Sequence, residues 1–242
     1  MSYRLRLLTT GLCNLRCDYC HVFAGPPGNP SGRMPPEVAC AAIDAALAAL
    51  GQASGAGLQV EFYGGEPLTN WETLTAAVGH AGRAPGAGRL SYILNTNATL
   101  ARAEHARFCS EAGIDVHVGI DGADALANGS RCTQTGRATL QRARRGIERF
   151  AAAGCRMQFN TCLTAANIDR LGDLVDLACQ FNVDRIYVAR PDISSGASLG
   201  GKSPAEIARI LLAVRALGRA RGVELGGPWA RAILSTEAFA PV

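Results

Sequence analysis

The sequence predicts an α/β fold of repeated strand–helix units around a parallel sheet, and three observations carry that prediction. Strand-like and helix-like segments alternate from one end of the chain to the other, as parallel strands require, because each must return through a crossover. The first helix-like segment, 36–50, carries an apolar stripe at helical spacing. Several segments rich in glycine, asparagine and aspartate fall just beyond the C-terminal ends of the strand-like runs, the edge where parallel α/β folds bind ligands.

In chain order, the first strand is read over residues 4–9, and the turn-rich run Gly25-Pro-Pro-Gly-Asn-Pro30 marks a loop before the first helix. That helix, 36–50, carries Val38, Ala42, Ile43, Ala46, Leu47 and Leu50 on one face and begins with proline, whose missing N–H costs nothing in a first turn. Further strands are predicted over 58–63, 90–95, 116–120, 157–163 and 185–189, making six. The remaining helices are predicted over 71–81, 101–112, 138–153, 168–181 and 204–221, and Ala84-Pro-Gly-Ala-Gly88 reads as a turn. Gly113, Gly154 and Gly222 follow three of the helices, where a left-handed cap favours a residue without Cβ.

Composition bounds the function. At 242 residues and 48% hydrophobic content the chain can bury one substantial core, with no signature of disorder or of a membrane span. Net charge is +4, and of 24 basic residues only Lys202 is lysine. Arg142, Arg144, Arg145 and Arg149 cluster on a predicted helix without interleaved aromatics, so a solvated helix face is expected there and no nucleic-acid partner. The start, Met1-Ser-Tyr-Arg-Leu-Arg6, lacks the apolar stretch of a signal peptide, and cytoplasmic placement is the expectation.

The strongest chemical signal follows the first strand. In Gly11-Leu-Cys-Asn-Leu-Arg-Cys-Asp-Tyr-Cys-His21, the cysteines Cys13, Cys17 and Cys20 have C-x-x-x-C-x-x-C spacing. Three thiolates on one short loop can hold three corners of a four-iron, four-sulfur cluster and leave one iron open. A structural zinc is the main rival, but it usually takes four ligands in two separated pairs, and His21 directly adjoins Cys20. Disulfides suit neither nine cysteines nor a reducing compartment. The other six, Cys40, Cys109, Cys132, Cys155, Cys162 and Cys179, are scattered and read as small apolar residues.

These residues resemble the radical S-adenosylmethionine (SAM) enzymes, whose hallmark is the same cysteine spacing with an aromatic residue, here Tyr19, before the third cysteine. Val60-Glu-Phe-Tyr-Gly-Gly-Glu-Pro-Leu68 resembles the family's Gly-Gly-Glu-Pro segment, and Leu94-Asn-Thr-Asn-Ala-Thr-Leu100 its Thr-Asn-Gly-Thr strand end. Val118-Gly-Ile-Asp-Gly122, followed by Arg131, resembles its Ser-x-Asp-Gly segment and downstream arginine. The likeness spans about residues 5–190 and is greatest to the branch of anaerobic sulfatase maturases and other peptide-modifying enzymes.

The resemblance implies a partial (β/α)6 TIM-like barrel, one 4Fe-4S cluster on Cys13, Cys17 and Cys20, and SAM at the open iron. It implies that the Tyr19 backbone faces adenine and that Gly64, Gly65, Glu66 and Pro67 border the methionine amino group. Asn97 and Asp121 are further cofactor-site candidates, and Arg131 is one for the SAM carboxylate. Reduction of the cluster would cleave SAM to a 5′-deoxyadenosyl radical that takes hydrogen from substrate, with electrons from an external donor such as flavodoxin or ferredoxin. Two departures stand out: Gly119 replaces the family's serine, and Ala98 its glycine.

The expected core is 1–222, with 223–242 a bridge or tail that ends about where the auxiliary-cluster extension of many relatives begins. Gly226-Gly-Pro-Trp-Ala-Arg-Ala-Ile-Leu-Ser235 resembles that bridge, so the chain is read either as a short family member or as one cut before the extension. The expected substrate is a peptide or protein. The alternatives are a small-molecule intermediate and, from another class, a non-catalytic iron–sulfur or zinc protein. Tyr63, Asn95, Asn160 and Arg190 are expected to face the mouth, and Cys132 is a candidate hydrogen donor beside Arg131.

Overall fold

Each helical crossover carries the chain to the next position in a single parallel sheet, so spatial order repeats chain order, from β1 to β7. The strands are β1 (Ser2–Thr10), β2 (Gly57–Gly64), β3 (Leu90–Thr96), β4 (Ile114–Gly119), β5 (Met157–Cys162), β6 (Arg185–Ala189) and β7 (Glu224–Gly226). The helices are α1 (Pro36–Leu50), α2 (Trp71–Ala81), α3 (Ala103–Glu111), α4 (Leu140–Ala152), α5 (Leu171–Gln180) and α6 (Pro204–Ala220). This computed structural model describes residues 2–20, 32–51, 56–84, 87–190 and 199–228. The sheet does not close: β1 and β7 are its edges. The architecture is thus an unclosed, TIM-like barrel with all strands parallel.

Two-residue alternation decides which face each strand buries. Leu58, Val60 and Phe62 of β2, Ile114, Val116 and Val118 of β4, and Ile186 and Val188 of β6 are buried in the core. Helices close over this face with Ile43 of α1, Leu74 and Ala77 of α2, Ile147 and Phe150 of α4, and Leu174 and Val175 of α5. The alternate residues line the concave side. Gly113, Gly154 and Gly222 have φ of 64°, 74° and 75°, the left-handed conformation expected of helix-ending glycines.

Three differences from the sequence reading have local causes. A seventh strand, β7, lies within the stretch expected to be tail. Its three residues give little periodicity, but Val223 and Leu225 are buried and Glu224 pairs in register with Arg185. The helix read over 168–181 opens as a 3-10 turn, Ile168–Arg170, before α5. Pro67–Asn70 forms another 3-10 turn, with the Glu66 carboxylate accepting from the Leu68 N–H. Among the described residues no helix is long and apolar enough to cross a membrane.

Candidate functional site

Cys13, Cys17 and Cys20 lie at one end of a cavity of about 780 Å3 on the concave side of the sheet. Their loop leaves β1 and is held by the segment after β4. The Arg16 N–H donates to the Cys132 carbonyl at 2.9 Å, the Asp18 N–H to the Ser130 carbonyl at 3.2 Å, and the Gln134 amide to the Cys13 carbonyl at 3.1 Å. Leu15 anchors the loop from beneath, 2% exposed. Burial pushes the Cys13 thiol up to about 11 and Cys17 to about 12, so both are protonated near neutral pH until a cationic metal group draws off the proton. No set of three or more His, Cys, Asp or Glu side chains among the described residues is gathered as a single-ion site. His21, on which the zinc alternative relied, lies outside the described residues.

The glycine segment after β2 packs against the same loop. The Gly65 N–H donates to the Thr10 carbonyl at 2.7 Å and the Glu66 N–H to the Leu12 carbonyl at 2.8 Å. A Cβ on Gly64 would stand 2.2 Å from the Thr10 oxygen, and one on Gly65 2.2 Å from the Leu12 oxygen. The glycines therefore let two backbones meet, one of them leading into the cysteines. Gly64 and Gly65 also line the cavity, whereas Glu66 and Pro67 are buried behind it.

The Glu66 carboxylate is fully buried and joins two strand ends. It accepts from Thr96 Oγ1 at 2.7 Å, from the Asn97 N–H at 2.7 Å and from the Leu68 N–H at 3.1 Å. Burial raises its carboxyl above the ordinary range, and these donors pull the other way. Asn97 lines the cavity, and its amide turns to the cysteine loop, donating to Asn14 Oδ1 at 3.0 Å and to Cys13 Sγ at 3.8 Å. Ala98 has φ of 59°, the conformation that favours the glycine it replaces. Its carbonyl and methyl fill the space that Gly146 of α4 leaves free.

Asp121 gathers the other wall. Its buried carboxylate accepts from the Cys162 N–H at 3.0 Å and from the Tyr19 hydroxyl, and Arg131 Nε lies 3.1 Å from Oδ2. Burial raises the Tyr19 phenol well above its ordinary value. The Arg131 guanidinium lies 5.6 Å from the Tyr19 ring centre and lines the cavity, while its Nε is buried without an aligned hydrogen bond. A Cβ on Gly119 would meet Arg131 Nη1 at 2.6 Å. The absent serine is thus the space the guanidinium occupies. A charged planar fork that lines the cavity, fixed by a carboxylate and an aromatic ring, fits the carboxylate of an amino-acid-like cofactor.

Of the concave floor, motif reading singled out Asn95 and Asn160 but missed Glu61, His117 and Gln158. Glu61, 4% exposed, accepts from Arg6 Nε at 2.9 Å and from Asn95 at 2.9 Å. Asn160 extends this belt to Asn95 at 3.4 Å, and Gln158 donates to Asn160 at 2.8 Å. His117 is held neutral, its value lowered to about 4 by burial. The signal was present in the sequence: a parallel strand covered on both faces reads as a continuous apolar run, whereas Gln59-x-Glu61-x-Tyr63 and Asp115-x-His117 alternate. Tyr63, Asn95, Asn160 and Arg190 all line the cavity, as does Cys162. Cys132 does not, and its thiol donates to the Arg16 carbonyl at 3.3 Å.

The family model for the radical SAM superfamily matches residues 7–178. The chain is 32% identical over 185 residues to the PqqA peptide cyclase of Streptomyces rochei, covering 74% of this chain and 46% of that protein. It is 30% identical over 233 residues to the GTP 3′,8-cyclase of Rhodobacter capsulatus, covering 93% and 65%. It thus spans less than two thirds of either relative. A solved structure of native anSMEcpe with bound AdoMet and Cp18Cys peptide shares the fold, with a TM-score of 0.76 at 19% identity over 93% of this chain and 63% of that one. The chain belongs to the radical SAM superfamily, whose members are enzymes that use a 4Fe-4S cluster and SAM.

Proposed function

We propose that this chain is the core of a radical SAM enzyme that takes hydrogen from a peptide or protein substrate, drawing its electron from an external donor such as flavodoxin or ferredoxin. One observation carries the reading: a single cavity joins the three thiols to a polar sheet face. Cys13, Cys17 and Cys20 would hold the cluster, the Arg131 fork the SAM carboxylate, and the Gly64–Gly65 backbone its amino end, beside Tyr19. When bound, this pair supplies a one-electron cleavage that yields a hydrogen-abstracting radical. The chain's own part is to hold those groups and exclude water. On the substrate side, Asn95, Gln158 and Asn160 present amides that can pair with a peptide backbone. The likeness to a peptide cyclase supports the substrate class.

The likeness to a GTP cyclase favours a second reading, a small-molecule substrate. The two separate by isotope transfer. Reconstituted enzyme, SAM and reductant are incubated with deuterated candidate peptides, taken from any short reading frame found beside the gene, or with deuterated GTP. Deuterium in 5′-deoxyadenosine from a peptide supports the proposal, and transfer from GTP alone overturns it.

A further inference from the structure

Two hydrogen-bonded systems meet at Asn97. Its Oδ1 accepts from the Thr99 N–H at 2.9 Å and from Thr99 Oγ1 at 2.6 Å. With both acceptor directions filled, the amide orientation is fixed by its network, and Nδ2 faces Asn14 Oδ1 and the Cys13 sulfur, 3.8 Å away. That sulfur also accepts from the Leu15 N–H at 3.4 Å. On the other side, the Asn97 backbone N–H donates to the buried Glu66 carboxylate. Glu66 is in turn the residue whose own N–H holds the cysteine loop at Leu12.

We infer that Asn97 is a positioning residue for the cluster: its amide aims the Cys13 sulfur, raises the reduction potential, and links that sulfur through Glu66 to the glycine segment. The inference rests on the functional reading above. Hydrogen bonds to ligand sulfurs favour the reduced form, which carries more negative charge. The link also makes cofactor binding beside Gly64 and Gly65 felt at Cys13, because Glu66 and Asn97 have no slack between them. Coupling of this kind is reciprocal: whatever occupies the glycine side shifts the cluster's potential by the same free energy that reduction shifts its affinity.

The test is an anaerobic redox titration of the reconstituted protein, followed by electron paramagnetic resonance of the reduced cluster. Asn97→Ala removes the donor, and the reduction equilibrium should fall by up to tenfold, about 59 mV for one electron. Asn14→Ala removes the amide's other partner and keeps the N–H on sulfur, so its potential should stay near wild type. If Asn97→Ala keeps the fold by circular dichroism and loses iron, the amide holds Cys13 in place, which supports the same role. Wild-type potential and an unchanged spectrum in Asn97→Ala overturn the inference while leaving the functional reading intact. A wild-type chain that takes up no iron overturns that reading, and the inference with it.

Discussion

Replacing Gly65 by alanine separates two reasons for a glycine beside a cofactor. If the residue is small so that a ligand can approach, the metal-free protein tolerates the change and only binding suffers. The structure assigns the close approach to Leu12 instead, whose carbonyl oxygen would lie 2.2 Å from the new Cβ. Contacts of that kind essentially never fall below 3.0 Å, so the two backbones must part by at least about 0.8 Å. The hydrogen bonds of 2.7 Å from Gly65 to Thr10 and 2.8 Å from Glu66 to Leu12 would then exceed useful length. Losing both costs about 1–3 kcal/mol, overpacking adds about 1–3 kcal/mol, and lower unfolded-state entropy returns about 0.4–1 kcal/mol. The net loss of about 2–5 kcal/mol corresponds to a melting temperature lower by roughly 5–15 °C in a chain of this size. Thermal and urea unfolding of the metal-free, reduced protein measures it. A Gly65→Ala variant that unfolds within about 1 °C of wild type without cofactor would refute the reasoning.

Gly119→Ser places a Cβ 2.6 Å from Arg131 Nη1 and should swing the guanidinium off its seat. SAM affinity measured by calorimetry should weaken roughly 10–100-fold, the value of one charge-assisted pair, and unchanged affinity would count against the Arg131 assignment. Asp121→Ala removes the acceptor shared by Tyr19, Cys162 and Arg131 and strands a buried cation. Urea unfolding should show a loss of about 3–5 kcal/mol. His117 predicts a pH slope: its folded value of about 4 lies below the ordinary 6.5, so the unfolded chain binds the extra proton. Its contribution, at most ~3 kcal/mol, is complete above pH 6.5 and lost as pH falls toward 4. His117→Gln should flatten metal-free stability across that window, and an unchanged slope would contradict the half-buried, neutral imidazole.

What the sequence revealed follows from how local each signal is. Strand ends carrying Gly64, Asn97 and Asp121 were legible because turn residues and an apolar run sit side by side in the chain. The cysteine loop was legible for the same reason. Contacts made across the sheet were not: that Gly65 faces Leu12, that Arg131 occupies the space over Gly119, and that Asn97 reaches Cys13 all depend on neighbours 53, 12 and 84 positions away. Cys132 shows the converse. Its place beside Arg131 in sequence suggested a reactive thiol, yet adjacent residues in an extended loop point apart, and its sulfur bonds the Arg16 carbonyl outside the cavity. The short β7 escaped notice because three residues cannot establish a period, and its burial comes from packing of Val223 and Leu225.

The central claim is that three thiols and the glycine and arginine segments form one cluster-and-SAM site. Anaerobic reconstitution, followed by a count of iron and of 5′-deoxyadenosine released under a strong reductant, tests it most directly. The account predicts about four irons per chain and 5′-deoxyadenosine from wild type, with both lost when Cys13, Cys17 and Cys20 are together replaced by alanine. Zinc in place of iron, or iron uptake without SAM cleavage, would contradict it.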